Sequence, residues 1–250
     1  MPKRVVGLGD GYNDIRTALA SVGGLAPTVR TGAHTTSSVV EQVAALFGTS
    51  NVVSAASGGA KVADLSAQIT SVGAFSETDL VVITIGTFNV KERDDLVNAP
   101  AELVRQIRRL QGLGVAHILV MPVLEVSKTP WGLANPSISG ATDAFNSAIL
   151  GTISPAFGGR SPNPVIYANA SNLAPVFLTE TAGLSVVFSN HVTPACTAAA
   201  ANVTLIGGCD VNDANTSYTT MLFADGIHLT PAGNRWVANY LYAATGSGWR

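Results

Sequence analysis

The segment Asp225-Gly226-Ile227-His228 has the residue types and spacing of a general base with its orienting acid. A carboxylate beside an imidazole fixes the tautomer of the ring, so that the other ring nitrogen can take a proton from a hydroxyl nucleophile. Because Asp225 lies three residues before His228, one turn can bring the two side chains together. Thr230 and Pro231 follow as a plausible N-cap and first-turn residue, so we expect this pair directly before a helix.

Three further loops carry glycine and polar residues immediately after apolar runs. They are Gly9-Asp10-Gly11-Tyr12-Asn13-Asp14, Ser57-Gly58-Gly59-Ala60 and Gly86-Thr87-Phe88-Asn89. The backbone N–H of Gly59 and the side-chain amide of Asn89 are candidate donors to an oxyanion. Together with Asp225 and His228 they form a hydrolytic site that lacks only a nucleophile.

Apolar runs and segments of helical periodicity alternate along the chain. The apolar runs predict strands at 5–8, 51–56, 79–85, 115–123 and 165–167, and the periodic segments predict helices at 38–47, 64–72, 100–110, 142–153 and 231–244. This alternation predicts an α/β fold with a mostly parallel, five-stranded sheet and helices on both faces. Ligands bind such sheets at the carboxyl ends of the strands, so the four loops should converge.

The composition favours an exported protein with a small, nearly neutral ligand. No linker-like shift divides the 250 residues, so we expect one domain over 1–250. Charged residues make up only 12% of the chain, so the surface must consist largely of Ser, Thr, Asn, Gly and Ala. A net charge of -2 and few basic clusters exclude nucleic acid and anionic membranes as partners.

The apolar runs and the N-terminus indicate where in or outside the cell the protein is found. No apolar run reaches the roughly 18 residues that cross a bilayer, so no transmembrane segment is expected. The N-terminus lacks a basic segment followed by an apolar one. We expect a secreted or extracellular protein whose signal peptide is absent from this chain.

The two cysteines, Cys196 and Cys209, are thirteen positions apart in a segment rich in small residues. A local disulfide is the favoured interpretation, and two reduced thiols in a cytosolic protein are the alternative. Spacing alone cannot decide, since a bridge requires Cα atoms within about 7 Å.

The order of these motifs resembles the four signature blocks of the SGNH/GDSL hydrolases. The blocks are Gly-Asp-x-x-x-Asp after the first strand, Ala-x-Gly-Gly-Ala after the second, Gly-x-x-Asn after the third and Asp-x-x-His near the end. The stretch 29–48 is also similar to the lipase and lecithinase branch. The resemblance implies a flavodoxin-like α/β/α sandwich, an acyl ester or lipid as substrate, and neither cofactor nor metal.

The resemblance also assigns roles residue by residue. The third residue of the Gly-Asp-Ser start is the family's nucleophile, and here this position is Gly11, where serine is expected. Gly11 N–H, Gly59 N–H and Asn89 would form the oxyanion hole, His228 would be the general base and Asp225 its partner. The third block departs from the common Gly-x-Asn-Asp because one more residue precedes its asparagine, and Leu229 replaces the usual proline after the histidine.

Glycine at position 11 keeps the backbone N–H and deletes the hydroxyl. We therefore interpret the chain as an esterase or lipase scaffold that is catalytically impaired. An engineered loss of serine is favoured, because a long-inactive lineage would have had no reason to keep Asp225, His228, Gly59 and Asn89. The alternatives are a natural pseudoenzyme that binds acylated ligands or protein partners, and a structural or adhesive extracellular domain. The oligomeric state stays open.

Overall fold

A computed structural model describes residues 1–15, 29–30, 38–158, 164–168, 188–195, 209–210 and 220–248. Its centre is a five-stranded parallel sheet in the order β3-β1-β4-β5-β6, formed by β1 (Arg4–Gly9), β3 (Val52–Ser54), β4 (Asp79–Thr84), β5 (His117–Met121) and β6 (Val165–Tyr167). This confirms the predicted α/β fold. A separate parallel pair, β2 (Val29–Arg30) with β7 (Cys209–Asp210), was not predicted.

The predicted helices all form, and two short ones were not expected. The helices are α1 (Val39–Leu46), α2 (Leu65–Val72), α3 (Thr87–Glu92), α4 (Ala99–Gly112), α5 (Pro130–Ala134), α6 (Ala141–Phe157) and α7 (Pro231–Gly248). Short 3-10 turns occupy Val62–Asp64, Val126–Lys128 and Pro136–Ile138. Helix α3 takes up residues that the sequence predicted as a loop after β4, and this changes the directions of their side chains.

The helices cover both faces of the sheet. Alternate strand residues point to opposite faces, so Val6 and Val81 pack with α2, α4 and α6, whereas Val5 and Val82 pack with α1 and α7. Each face thus has its own apolar cluster of almost fully buried residues. The result is the three-layer sandwich that the sequence predicted.

Gly9 ends the central strand β1 in a backbone conformation that requires glycine. Its φ is +112°, and a Cβ atom there would lie 1.9 Å from the Thr84 carbonyl oxygen of the neighbouring strand. The buried side-chain amide of Gln68 clamps the same residue, accepting from Gly9 N–H at 2.6 Å and donating to its carbonyl at 2.8 Å. The strand end is therefore fixed on two sides before the Asp10-Gly11 turn begins.

Some predictions fall outside the described residues. Cys196 is one of them, and Cys209 is described only as part of the β7 backbone, so the disulfide stays a prediction. Within the described ranges, no helix combines the length and the apolar character that crossing a bilayer requires.

Candidate active site

His228 and Asp225 form a buried hydrogen-bonded pair. His228 Nδ1 lies 2.8 Å from Asp225 Oδ2, and both side chains are 0% exposed. When Asp225 is a carboxylate it can only accept, so a neutral His228 ring bonded to it carries its proton on Nδ1 and presents the lone pair of Nε2. The pair therefore has the geometry of a general base held by its orienting acid, as the three-residue spacing predicted.

The turn that contains this pair is stabilised by hydrogen bonds within the turn, and it is flanked by helices α7 and α5. Asp225 Oδ1 accepts from the N–H groups of Ile227 and His228 at 2.7 and 2.6 Å. Thr230 caps α7, because its hydroxyl oxygen accepts from Gly233 N–H at 3.2 Å. On the other side, the Trp131 N–H at the start of α5 donates to the Gly226 carbonyl at 2.8 Å. These bonds fix the imidazole without using its Nε2.

Two aromatic rings, one from the loop after β1 and one from helix α3, adjoin the imidazole. The centroid of the Tyr12 ring lies 5.7 Å from that of His228, and the centroid of Phe88 lies 6.0 Å away. The Tyr12 hydroxyl donates to the Ile227 carbonyl at 3.0 Å. His228 Nε2 is buried and has no hydrogen-bond partner among the described residues. The base is thus sequestered among apolar rings with its proton-accepting atom unused.

Gly11 lies in this site, between Asp10 and the Tyr12 whose ring adjoins His228. Gly11 is buried, and its carbonyl accepts from Asp14 N–H at 3.3 Å. Gly11 is not among the described glycines with positive φ, so an L-residue such as serine suits its backbone. Gly11 thus precedes the residue whose ring adjoins the base, and its assignment as the nucleophile position stays a prediction.

Asp10 is a second buried carboxyl of the site, and the sequence did not single it out. Its N–H donates to the Thr84 carbonyl at 2.7 Å, and its Oδ1 accepts from Tyr12 N–H at 3.3 Å. Oδ2 has no hydrogen-bond partner among the described residues. Burial raises the pKa of Asp10 to about 6, although the positive charge of His228 in its protonated form and the Tyr12 N–H oppose the rise.

We expect Asp10→Asn to stabilise the protein at neutral and alkaline pH. The unfolded chain releases this proton near pH 3.8 and the folded chain near pH 6, so folding binds the proton between these values. The free energy of unfolding therefore falls as pH rises across this window, by up to about 3 kcal/mol, and stays lowered above it. Urea titrations at pH 3.5 and 8 should show the Asn variant to be more stable only at pH 8. A difference of equal size at both values would contradict this.

The second loop contacts the first. The Gly58 N–H donates to Asp14 Oδ2 at 3.1 Å, and Gly59 follows with a φ of +82°. The Ala60 N–H closes the turn on the Ser57 carbonyl at 3.0 Å. Asp14 therefore joins the first and second loops at the sheet edge, and the role of the Gly59 N–H in an oxyanion hole stays a prediction.

The structure corrects the assignment of Asn89 as an oxyanion donor. Asn89 Oδ1 accepts from Val62 N–H at 3.0 Å, and Nδ2 donates to the Asp94 carbonyl at 3.0 Å. The amide thus ties α3 to its neighbours, while Phe88 is the residue of this loop that adjoins His228. An ungapped match to Gly-x-Asn-Asp puts Phe88 at the asparagine position and Asn89 at the aspartate position, which agrees with these contacts.

The described part of the chain contains no group of three or more His, Cys, Asp or Glu side chains that could hold a metal ion.

Comparison with known proteins places this geometry in context. The profile of the GDSL-like Lipase/Acylhydrolase family matches residues 8–241. Among solved structures, the chain is similar to the acetyl xylan esterase AlAXEase, with a TM-score of 0.53 and 16% identity over 96% of this chain and 98% of that one. Phospholipase A1 from Streptomyces albidoflavus NA297 has a TM-score of 0.54 and 16% identity over 99% and 100% of the two chains.

The acetylxylan esterase Axe2 from Geobacillus stearothermophilus has a TM-score of 0.55 and 14% identity, covering 98% of this chain and 94% of the other. At these identities the solved structures bear on the fold alone. A comparison with curated proteins found no match.

Proposed function

Because this chain belongs to the GDSL-like lipase/acylhydrolase family, we propose that its site is that of a carboxylic ester hydrolase acting on acyl esters by a Ser-His-Asp mechanism, with the nucleophile missing at Gly11. The observation that carries the proposal is the buried pair of Asp225 and His228, joined at 2.8 Å with Nε2 unbonded. This pair can activate a hydroxyl on a residue at position 11.

In the complete reaction, His228 Nε2 would take the hydroxyl proton as the oxygen attacks the acyl carbon. The protonated ring would then give that proton to the leaving alcohol, and water would release the acyl group by the same steps. The N–H groups of residues 11 and 59 are the proposed donors to the oxyanion. Without a hydroxyl at Gly11 no acyl-enzyme forms, so this chain is catalytically impaired.

A natural pseudoenzyme that binds acylated ligands or protein partners is the second candidate. One observation favours it, because Phe88 lies beside His228 where the family pattern has asparagine. The site then departs from the family at two positions, Gly11 and Phe88. The case for an engineered loss of serine rested in part on Asn89 as a retained donor, and the contacts of Asn89 remove that support.

Labelling with a fluorophosphonate tests the hydrolase proposal directly. Gly11→Ser should gain one phosphonyl group by intact-mass measurement, because His228 activates the new hydroxyl. The unmodified chain should gain none at this site. Gly11→Ser with His228→Ala is the control and should react far more slowly. Failure of Gly11→Ser to react would favour the pseudoenzyme.

An extracellular location and a bridge between Cys196 and Cys209 complete the proposal. Both are supported by the low charged fraction of 12% and the closeness of the two cysteines in sequence.

A further inference from the structure

Lys91 lies at the rim of the site between two aromatic rings. Its Nζ is 5.6 Å from the centroid of Phe88 and 5.0 Å from that of Trp131, and its side chain is 17% exposed. The Phe88 ring adjoins His228, and the backbone N–H of Trp131 donates to the Gly226 carbonyl in the turn that carries His228. The ammonium group therefore adjoins the Phe88 ring that lies next to His228, and it also adjoins the ring of Trp131, whose backbone is bonded to the turn that carries His228.

The carboxylate that pairs with the Lys91 ammonium group lies at the outer limit of an ion pair. Glu92 Oε1 lies 4.0 Å away, whereas Glu92 Oε2 lies 2.7 Å from Lys61 Nζ, which also pairs with Asp94 at 2.6 Å. Lys61 therefore holds the Glu92 carboxylate more closely than Lys91 does. Aromatic faces stabilise an ammonium ion by about 0.5–2 kcal/mol but are poor partners for its three N–H donors. Lys91 keeps the capacity to bind an anion.

We propose that Lys91 forms a subsite for an anionic group, a carboxylate or phosphate, carried by the substrate a few bonds from its ester. This inference rests on the proposed function, since the ester is placed at His228. Asp10 and Asp225 repel an anion from the immediate surroundings of the imidazole, so the anionic group must lie towards the rim. The buried Phe88 ring lies between the two positions, with its centroid 5.6 Å from Lys91 Nζ and 6.0 Å from the centroid of His228.

Binding to the unmodified chain tests the subsite without any turnover. Tryptophan fluorescence should report the ligand, because Trp131 contacts Lys91, and Trp131→Phe identifies that signal. The probes are monomethyl glutarate and 2-acetoxyethyl phosphate, which are anionic, and dimethyl glutarate, which is neutral. We expect the better anionic probe to bind at least about fivefold tighter than the neutral one, with the difference shrinking in salt.

Variants at Lys91 assign the preference. Lys91→Met removes the charge and keeps the length, so the preference should disappear, whereas Lys91→Arg should keep it. Lys3→Met is the matched control, since Lys3 is exposed and directly precedes β1, at the end of the strand opposite to the site. Equal binding of charged and neutral probes by the unmodified chain, or a preference that survives in Lys91→Met, would overturn the subsite.

Kinetics in the Gly11→Ser background separate this inference from the proposed function. With p-nitrophenyl hemiglutarate, Lys91→Met should raise KM about fivefold and leave kcat unchanged, and with p-nitrophenyl butyrate it should change neither. If Gly11→Ser is inert but the binding preference depends on Lys91, the hydrolase proposal fails and the subsite stands. If Gly11→Ser is active with no Lys91-dependent preference in either assay, only the subsite fails.

Discussion

Replacing Gly11 with serine should raise kcat/KM for p-nitrophenyl acetate by about 10³-fold or more. Removing a triad nucleophile leaves only the residual rate that comes from binding and the oxyanion hole, so restoring it should recover several decades. The buried Asp225-His228 pair is already in place, and the φ of Gly11 suits an L-residue. Steady-state release of p-nitrophenol from the two purified chains measures the gain.

Gly11→Ala is the control for this gain, because it adds the Cβ atom without the hydroxyl and should stay at the level of the unmodified chain. Short and long acyl esters should both be tried, since the acyl preference is open. If Gly11→Ser hydrolyses neither class, the site is not that of a hydrolase lacking only its nucleophile, and binding of acylated ligands becomes the better account.

Removing His228 should have a large effect only when serine is present. In Gly11→Ser, we expect His228→Ala to lower kcat by about 10³-fold or more, because the serine then has no base. In the unmodified chain the same change should have little effect, since members of a catalytic unit are strongly non-additive. The four chains form a double-mutant cycle, which the p-nitrophenyl acetate assay can complete.

His191→Ala is the matched control, because His191 is an exposed histidine outside the site. It should leave the activity of Gly11→Ser unchanged. Asp225→Asn in the same background should also lower kcat strongly, since the asparagine no longer fixes the tautomer of His228. Equal losses from His191→Ala and His228→Ala would mean that His228 is not the base.

The centre of the sheet could be predicted because β1 and β4 are buried on both faces. Val5 to Leu8 and Leu80 to Ile83 are runs without a polar residue, which is the pattern of a covered parallel strand. Helix α3 escaped prediction because its six residues, Thr87–Glu92, are too few to show a helical period. The β2 and β7 pair has two residues on each side and carries no pattern of its own.

Within the site, the Asp225-His228 pair was predictable because its geometry is local. The direction of the Asn89 amide was not, since it depends on tertiary bonds to Val62 and Asp94. Asp10 illustrates the same limit, because its pKa is raised mainly by burial. A lone aspartate in a glycine turn gives no sign of that in the sequence.

The bond between the Tyr12 hydroxyl and the Ile227 carbonyl joins groups 215 positions apart, and this has a consequence for the order of folding during synthesis. All five strands of the central sheet have been made once Tyr167 leaves the ribosome, whereas the base follows only with residue 228. Local and earlier contacts form first, because closing a long loop costs more entropy. We therefore expect Gly11 and Tyr12 to lack their contacts with the His228 turn through most of synthesis. The turn that contains the base packs against them last.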